Sequence, residues 1–522
     1  MESPSEATDP LDLFHPAVKR WFTASFGAPT APQAQGWPAI ARGDSTLILA
    51  PTGTGKTLAA FLWCINRLMF EAPPGPRARC RVLYISPIKA LAVDVERNLR
   101  APLIGISKTA GEMQALHHVP QVWVRSGDTP ALERARFQRS PSDILITTPE
   151  SLYLMLTSNA REALRSIDTV IVDEIHAVVP TKRGAHLALS LERLEVLCGR
   201  RIQRIGLSAT QRPLEEVATF LGGAERRPVV SHRKKTEESS QHPVEIGQEL
   251  IEEFEAEPES AQYRRVTVVN TGQRKKLELK IEVPVEDMAA VSIREEVPSG
   301  PAGQGPKRIS IWTAIHPKLL ELVRAHQTTL IFVNNRRLAE RISAALNDLA
   351  GETIVRAHHG SLALAQRKDV EERLKLGTIK GLIATSSLEL GIDMGAVDLV
   401  VQIEAPPSVA SGMQRIGRAS HQVDAVSKGV IFPKFRADLV ACAAATRAMR
   451  EGQVESIRYP RNPLDVLSQQ IVAMVGMDDW RVDDLFATIR CTAPYANLSR
   501  SVFEGVLDML AGRYPSDEFA DL

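Results

Sequence analysis

The octet "APTGTGKT" at residues 50–57 constrains this chain more than any other stretch. It follows the β-branched run "TLILA" and precedes the apolar-periodic "LAAFLWCINRLMF". A strand, a glycine-rich loop and a helix in that order make a phosphate cradle. The glycines let backbone N–H groups close around an anion, and the helix N-terminus adds positive potential. The pattern assigns Thr52, Gly53, Thr54 and Gly55 to the cradle, Lys56 to the β- and γ-phosphates of ATP, and Thr57 to Mg²⁺. Its first position is Ala50, where the pattern has glycine.

A phosphate loop of this kind needs a buried parallel sheet behind it, and the chain supplies two sets of strands. Short apolar runs recur: "TLILA", "RVLYISP", "DILITTP", "TVIVDE" and "RIGLSAT", then "TLIFVNN", "GLIATSS", "LVVQIEA" and "GVIFP". Continuous runs of this length suit strands covered on both faces. Helical patterns such as "AHLALSLERLEVL" lie between them, so the expectation is an α/β fold of βαβ units in two tandem parallel-sheet domains. Residues 231–263 separate the two series and are rich in charge, with an acidic helical pattern at 246–254; "SGPAGQGPK" at 299–307 reads as a further loop. The expected divisions are a first domain over 1–230, a charged linker or insertion over 231–265, a second domain over 266–453 and a C-terminal segment over 454–522.

Polar clusters end almost every strand, which is where ligands sit in open parallel sheets. "VDEIH" at 172–176 is one of them. A carboxylate just past a buried strand, downstream of a phosphate loop, suits Mg²⁺, so Asp173 is assigned to the metal and Glu174 to orienting and deprotonating the attacking water. In "PTAPQAQGWP" at 29–38, Gln33 is the candidate for the adenine edge, because an amide donates and accepts at once.

Overall charge does not announce a nucleic-acid partner: 63 Lys and Arg face 62 Asp and Glu, a net +1, so such a partner would be met by local basic patches. The five cysteines form no CxxC pair, which argues against a zinc site or a disulfide framework and fits a reducing cytoplasm. The acidic, polar start "MESPSEATDPLDLF" has no signal-peptide pattern, and no apolar run reaches membrane-spanning length.

The stretches already quoted, with "SPIKAL" (86–91), "TTPESL" (147–152), "SAT" (208–210), "FVNNRR" (332–337), "HHGSL" (358–362), "ATSSLELGID" (384–393) and "QRIGRASH" (414–421), resemble the ordered motifs of superfamily-two DEAD/DEAH-like helicases. They cover roughly residues 29–421. More narrowly, "GWPAI", "TTPESLYLML", "VDEIHAV", "KRGAHLALSLERL", "SSLELGIDMG", "QRIGRASH" and "PRNPLDVLSQQIVAMV" resemble the large helicase-related (Lhr) family. That resemblance implies two RecA-like domains followed by a winged helix, with this chain an N-terminal portion or a shortened form. It implies an ATP-dependent motor that moves 3′-to-5′ on single-stranded DNA and displaces DNA or RNA strands from 3′-tailed duplexes, including RNA–DNA hybrids, with DNA repair as the setting. A DEAD-box-like RNA remodeller and a nucleotide-gated clamp without processive unwinding are the alternatives. The acidic stretch at 231–263 departs from the family pattern.

The resemblance also carries residues. Arg418 matches the Gly-Arg position of the superfamily's arginine finger, an element worth about 10³ to 10⁵ in rate in related NTPases. Gln414 and Arg415 are supporting candidates, and Gly391 and Asp393 fall on the ATP side. Many relatives carry a second arginine where His421 stands, which puts a two-finger mechanism in doubt. For nucleic-acid phosphates the candidates are Ser86, Lys89, Thr148, Asn334, His359, Gly360 and Thr385; each residue type serves equally as a helix cap or turn. In the C-terminal segment, apolar residues at 464, 467, 471, 472 and 475 predict a helical face, and Ser501 with Glu504 is spaced as a capping box before a stop at Gly512.

Overall fold

The computed structural model describes residues 9–51, 53–209, 211–226, 261–272, 276–288, 310–389, 397–419 and 426–513. Within them lie two all-parallel sheets. The first has strands β1 (Thr46–Leu49), β2 (Val82–Ile85), β3 (Val122–Arg125), β4 (Ile144–Thr147), β5 (Thr169–Val172), β6 (Gln203–Ser208) and β7 (Thr267–Asn270), in the order β3-β4-β2-β5-β6-β1-β7. The second has β8 (Leu277–Ile281), β9 (Thr329–Phe332), β10 (Val355–His358), β11 (Gly381–Ala384), β12 (Leu399–Ile403) and β13 (Ser427–Phe432), in the order β10-β11-β9-β12-β13-β8. The nine apolar runs read from the sequence are all interior strands. Residues such as Leu47, Ile48, Leu83, Ile146, Leu330 and Val400 are fully buried, and each side chain of this kind contributes about 1.5–3 kcal/mol relative to exposure.

The expected boundary at 266 moves. β7 pairs with β1 in register, Thr46 opposite Thr267, so the chain returns to the first sheet after the charged stretch; the second sheet begins only at Leu277. The acidic helical pattern at 246–254 and the loop at 299–307 lie outside the described residues.

After the helix Arg436–Glu451, the chain leaves the second sheet and adds three helices, Leu464–Val475, Val482–Arg490 and Arg500–Leu510. These pack on the first domain: Leu467, Ile471, Phe486 and Phe503 enclose Ala185 and Leu189 of the helix Lys182–Cys198. Arg193 of that helix, 7% exposed, donates to Gln470 Oε1 at 2.8 Å, and Gln470 Nε2 donates to the carbonyl of His186 at 3.1 Å. The face read in the sequence holds in part: Leu467 and Ile471 are buried, Leu464, Val472 and Val475 are exposed, and Val466, Gln470 and Met474 complete the buried side. The last helix is capped by Ser499, whose hydroxyl accepts from Val502 N, rather than by Ser501; Glu504 instead accepts from Arg500 Nε at 2.6 Å. Gly512, with φ 73°, stops it as expected. No described helix is long and apolar enough to cross a membrane.

Candidate nucleotide cleft and nucleic-acid edge

Because every strand is parallel, all strand ends that carry motifs emerge on one edge of each sheet, and strand order sorts them. In the first sheet, the phosphate loop, "DEIH" and "SAT" follow β1, β5 and β6, which are neighbours. "SPIKAL", "RSGD" (125–128) and "TTPES" follow β2, β3 and β4, the neighbours at the other side. In the second sheet, "NNR", "HHG" and "ATSS" follow the contiguous β9, β10 and β11, whereas β12 leads to the helix Val409–Ile416 that carries Gln414 and Arg415. Each domain thus separates its two motif classes along the sheet.

The phosphate loop is assembled from main chain. Gly55 has φ 77°, a left-handed conformation that favours glycine, and the end of the Gln33 side chain packs where a Cβ would stand, 2.6 Å from Nε2. Gln33, 4% exposed, accepts from Thr30 N–H at 2.9 Å in a capping box and donates to the carbonyl of Gly55 at 3.4 Å. Thr30 Oγ1 donates to Thr54 O at 2.9 Å, and Thr54 Oγ1 to Pro51 O at 2.7 Å. Lys56 reaches across the loop to donate to the carbonyl of Ser208 at 3.2 Å, tying it to "SAT". Gly53 lies in the loop with φ 83°, and Thr57 is in the first turn of the helix Lys56–Phe70. Thr52 lies outside the described residues.

The acidic pair is fully enclosed: Asp173 is 6% and Glu174 5% exposed. Glu174 has φ 43°, a left-handed conformation costly for a non-glycine residue and found where a side chain must be aimed. Asp173 Oδ1 accepts from Glu174 N–H at 2.8 Å, and Tyr84 Oη donates to Asp173 Oδ2. Burial, then the charge of Glu174, pushes Asp173 above the usual carboxylate range, against the hydrogen bond from Tyr84 and the charge of Lys56. Two adjacent carboxylates with one lysine for compensation form a donor set that suits a divalent cation, whose charge would restore the ionised form. Thr57 and Asp173 are the residues that fit it. Tyr84 was missed from sequence; its one signal is an aromatic hydroxyl inside the otherwise aliphatic "RVLYISP".

The second domain meets this site through one helix. Gln414 Nε2 lies 2.7 Å from His176 Nε2 across the cleft. Burial holds the His176 ring below its ordinary pKa, hence neutral. Its Nδ1 accepts from Ala209 N–H at 3.4 Å and lies 3.2 Å from Ser208 Oγ, so the ring joins the acidic motif to "SAT". Arg415 departs from expectation. It is 2% exposed and turned into its own domain, donating to Asn334 Oδ1 and Gln402 Oε1 at 3.0 Å each and to Glu389 Oε2 at 3.2 Å, with its guanidinium over the Phe332 ring. A cation so fully engaged holds the motif together rather than reaching for phosphate. Arg418, 5% exposed, donates to the carbonyl of Glu389 at 2.9 Å. Gly391, Asp393 and His421 lie outside the described residues.

On the other edge, Lys89 Nζ meets Asp128 Oδ1 at 2.6 Å, joining "SPIKAL" to "RSGD". Gly360 is exposed beside Arg336, which donates to Ser361 Oγ at 2.6 Å and was not singled out from sequence. His359 is 6% exposed, with Nε2 2.6 Å from Glu340 Oε1. Asn334 is exposed but spends Oδ1 on Arg415 and Nδ2 on the carbonyl of Ala405. Thr148 caps the helix Pro149–Leu156, and Thr385 occupies the cap position before Ser386–Leu388. Ser86 departs from expectation: fully buried, it donates to Ile88 O at 2.8 Å, a turn role that leaves its hydroxyl no access to a phosphate.

The family profile described as DEAD/DEAH box helicase matches residues 30–217, the helicase conserved C-terminal domain matches 314–421, and the large helicase-related protein winged helix domain matches 447–522. The Lhr helicase/probable uracil glycosylase of Mycolicibacterium smegmatis is 46% identical over 99% of this chain and 33% of its own length. The Lhr helicase/uracil glycosylase of Escherichia coli is 45% identical over 98% of this chain and 33% of its own. The chain therefore spans about a third of the length of these curated relatives. Among solved structures, Mycobacterium smegmatis helicase Lhr bound to ssDNA and AMP-PNP matches with a TM-score of 0.81 at 48% identity, over 96% of this chain and 58% of that one.

Proposed function

The chain belongs to the large helicase-related family of DEAD/DEAH-like helicases, and on that premise we propose that it is an ATP-dependent nucleic-acid motor: a single-stranded-DNA-dependent ATPase that moves 3′-to-5′ and displaces DNA or RNA strands from 3′-tailed duplexes. The observation that supports this best is the Gln414–His176 contact, which puts the second domain's helix against the acidic motif of the first. ATP chemistry and strand grip then share one pair of domains but occupy different halves of each sheet.

In this reading, the loop N–H groups and Lys56 hold the phosphates, while Gln33 reads the adenine edge from its seat against Gly55. Thr57 and Asp173 would hold Mg²⁺, which when bound would offset phosphate charge. Glu174 takes the proton of the attacking water. Closure draws Arg418 away from the Glu389 carbonyl and towards the γ-phosphate, where its planar fork stabilises the transferring group. Lys89, Thr148, Asn334, His359, Gly360 and Thr385 line the strand side, where phosphate contacts position a strand without reading its sequence. Each ATP cycle moves the second sheet's strand loops relative to the first's.

The test is displacement of 3′-tailed, 5′-tailed and blunt duplexes with ATP, beside ATPase assays with and without single-stranded DNA. The expected result is preference for the 3′ tail and turnover that rises with single strand, with stimulation weakening as salt rises because the contacts are to phosphates. Equal displacement of blunt and tailed duplexes would favour the RNA-remodelling alternative, and turnover indifferent to every polynucleotide would end the motor reading.

A further inference from the structure

The helix that presents Gln414 and leads to Arg418 is held at its start by a residue from outside its domain. Ser408 supplies the ordinary cap, its hydroxyl accepting from Ser411 N–H at 3.0 Å. The two preceding N–H groups are taken by one carboxylate: Glu455 Oε1 accepts from Val409 at 2.5 Å and Oε2 from Ala410 at 3.1 Å. Glu455 lies past the last helix of the second domain, on the connector to the C-terminal helices. The next residue, Ser456, forms a parallel bridge with Arg212, and Ile457 N–H donates to the Arg212 carbonyl at 2.7 Å. Arg212 follows "SAT", whose Ser208 carbonyl holds Lys56. Tyr459 N–H then donates to Glu216 at 3.3 Å, and its ring is buried in the first domain's core.

Two residues of connector therefore join the start of the arginine helix to the segment behind the "SAT" loop, while Gln414 and His176 join the other end of that helix to the acidic motif. Two residues span at most about 7 Å, so the strap allows little slack. A negative charge on two N-terminal N–H groups is also a favourable arrangement for the helix itself.

We propose that Glu455 is a positioning residue: as a strap between domains, it fixes the start of the Val409–Ile416 helix relative to the "SAT" segment so that strand-induced closure delivers Arg418 to the γ-phosphate. This rests on the motor reading above. Glu455 contacts the start of the helix and not the phosphate loop, so its effect should fall on turnover in the strand-bound state and leave nucleotide affinity alone.

The experiment compares Glu455→Ala and Glu455→Gln with the unaltered chain in steady-state ATPase, with and without saturating single-stranded DNA, alongside direct binding of a fluorescent ADP and thermal melting. The unaltered chain must first be stimulated by single strand; if it is not, the motor reading fails and the strap is not at issue. Given stimulation, Glu455→Ala is expected to lower the strand-stimulated kcat about five- to tenfold, the scale of losing charge-assisted cap bonds. Strand-free turnover and ADP affinity should stay within about twofold. Glu455→Gln, which keeps one acceptor oxygen, should recover part of the loss. Unchanged stimulated turnover in Glu455→Ala overturns the proposal. So does an equal fall in stimulated and unstimulated turnover accompanied by a lower melting temperature, which marks a stabilising cap and no more.

Discussion

The phosphate loop of the first domain and the arginine helix of the second face one cleft, but they are built differently. The loop is fixed through main-chain carbonyls, with Gln33, Thr30 and Thr54 all donating to loop carbonyls and Lys56 to that of Ser208. The arginine helix is fixed by bonds between side chains: Arg415 to Glu389, Gln402 and Asn334, and Gln414 across to His176. A cradle fixed in this way is expected to bind nucleotide whether or not the partner domain has closed. A helix held by side chains and a strap can adopt a second arrangement when ligand favours it. On the proposed function, the difference predicts that the first domain sets nucleotide affinity and the second sets turnover.

The sharpest way to break that comparison is at Arg418. Arg418→Ala should lower strand-stimulated kcat about 10³-fold or more while leaving nucleotide affinity within a modest factor, because the charge acts only in the closed state. Arg418→Lys should recover little, since a point charge lacks the planar fork. Arg415 is the internal control three residues away. Removing it strands the Glu389 carboxylate, a loss of about 3 kcal/mol that shows first as a lower melting temperature. If Arg415→Ala melts normally and loses turnover while Arg418→Ala works at the normal rate, the two arginines have exchanged roles.

The next effect belongs to the first domain. Glu174→Gln keeps the enclosed shape but removes the base, so turnover should fall about 10²- to 10³-fold with nucleotide still bound. Equilibrium binding of labelled nucleotide beside single-turnover hydrolysis separates the two. Near-normal hydrolysis in this variant would assign the water's activation to another group.

The sequence was legible where burial is symmetrical. The nine interior strands read as continuous apolar runs because both faces are covered. The four strands without such a run, β3, β7, β8 and β10, are the edges of the two sheets among the described residues, and their mixed exposure breaks the pattern. Of these, β7 matters most, since it moves the domain boundary. At the site, the phosphate loop and acidic motif were legible because their chemistry is local in sequence. The partners of Arg415 were not, because Asn334, Glu389 and Gln402 come from three separate loops and strands and meet only in the fold. Ser86 misled for the opposite reason: a hydroxyl beside a strand end suits a phosphate and a turn equally, and only burial separates the two.

Tyr84 gives the smallest effect and the finest test of the rigid half. Its hydroxyl donates to Oδ2 of Asp173 from the centre of β2, between Leu83 and Ile85, in a fully buried position. A hydrogen bond to a charged group is worth about 1.5–3 kcal/mol, and this one favours the ionised carboxylate in the orientation set by Glu174 N–H. Tyr84→Phe keeps the ring and its stacking on Phe61, whose centroid is 5.2 Å away, so packing is retained. On the proposed assignment of Asp173 to Mg²⁺, the loss falls on the metal's ligand. The Mg²⁺ concentration giving half-maximal turnover should rise about tenfold, with kcat at saturating Mg²⁺ reduced only slightly. Fluorescent-ADP binding titrated with Mg²⁺ gives the same midpoint shift without any hydrolysis, and binding in EDTA should be unaltered because the phosphate loop is untouched. A midpoint that does not move would show that Glu174 N–H alone orients Asp173. A fall in metal-free binding would show that β2 and the phosphate loop are mechanically linked, and that the cradle is less independent than its main-chain construction implies.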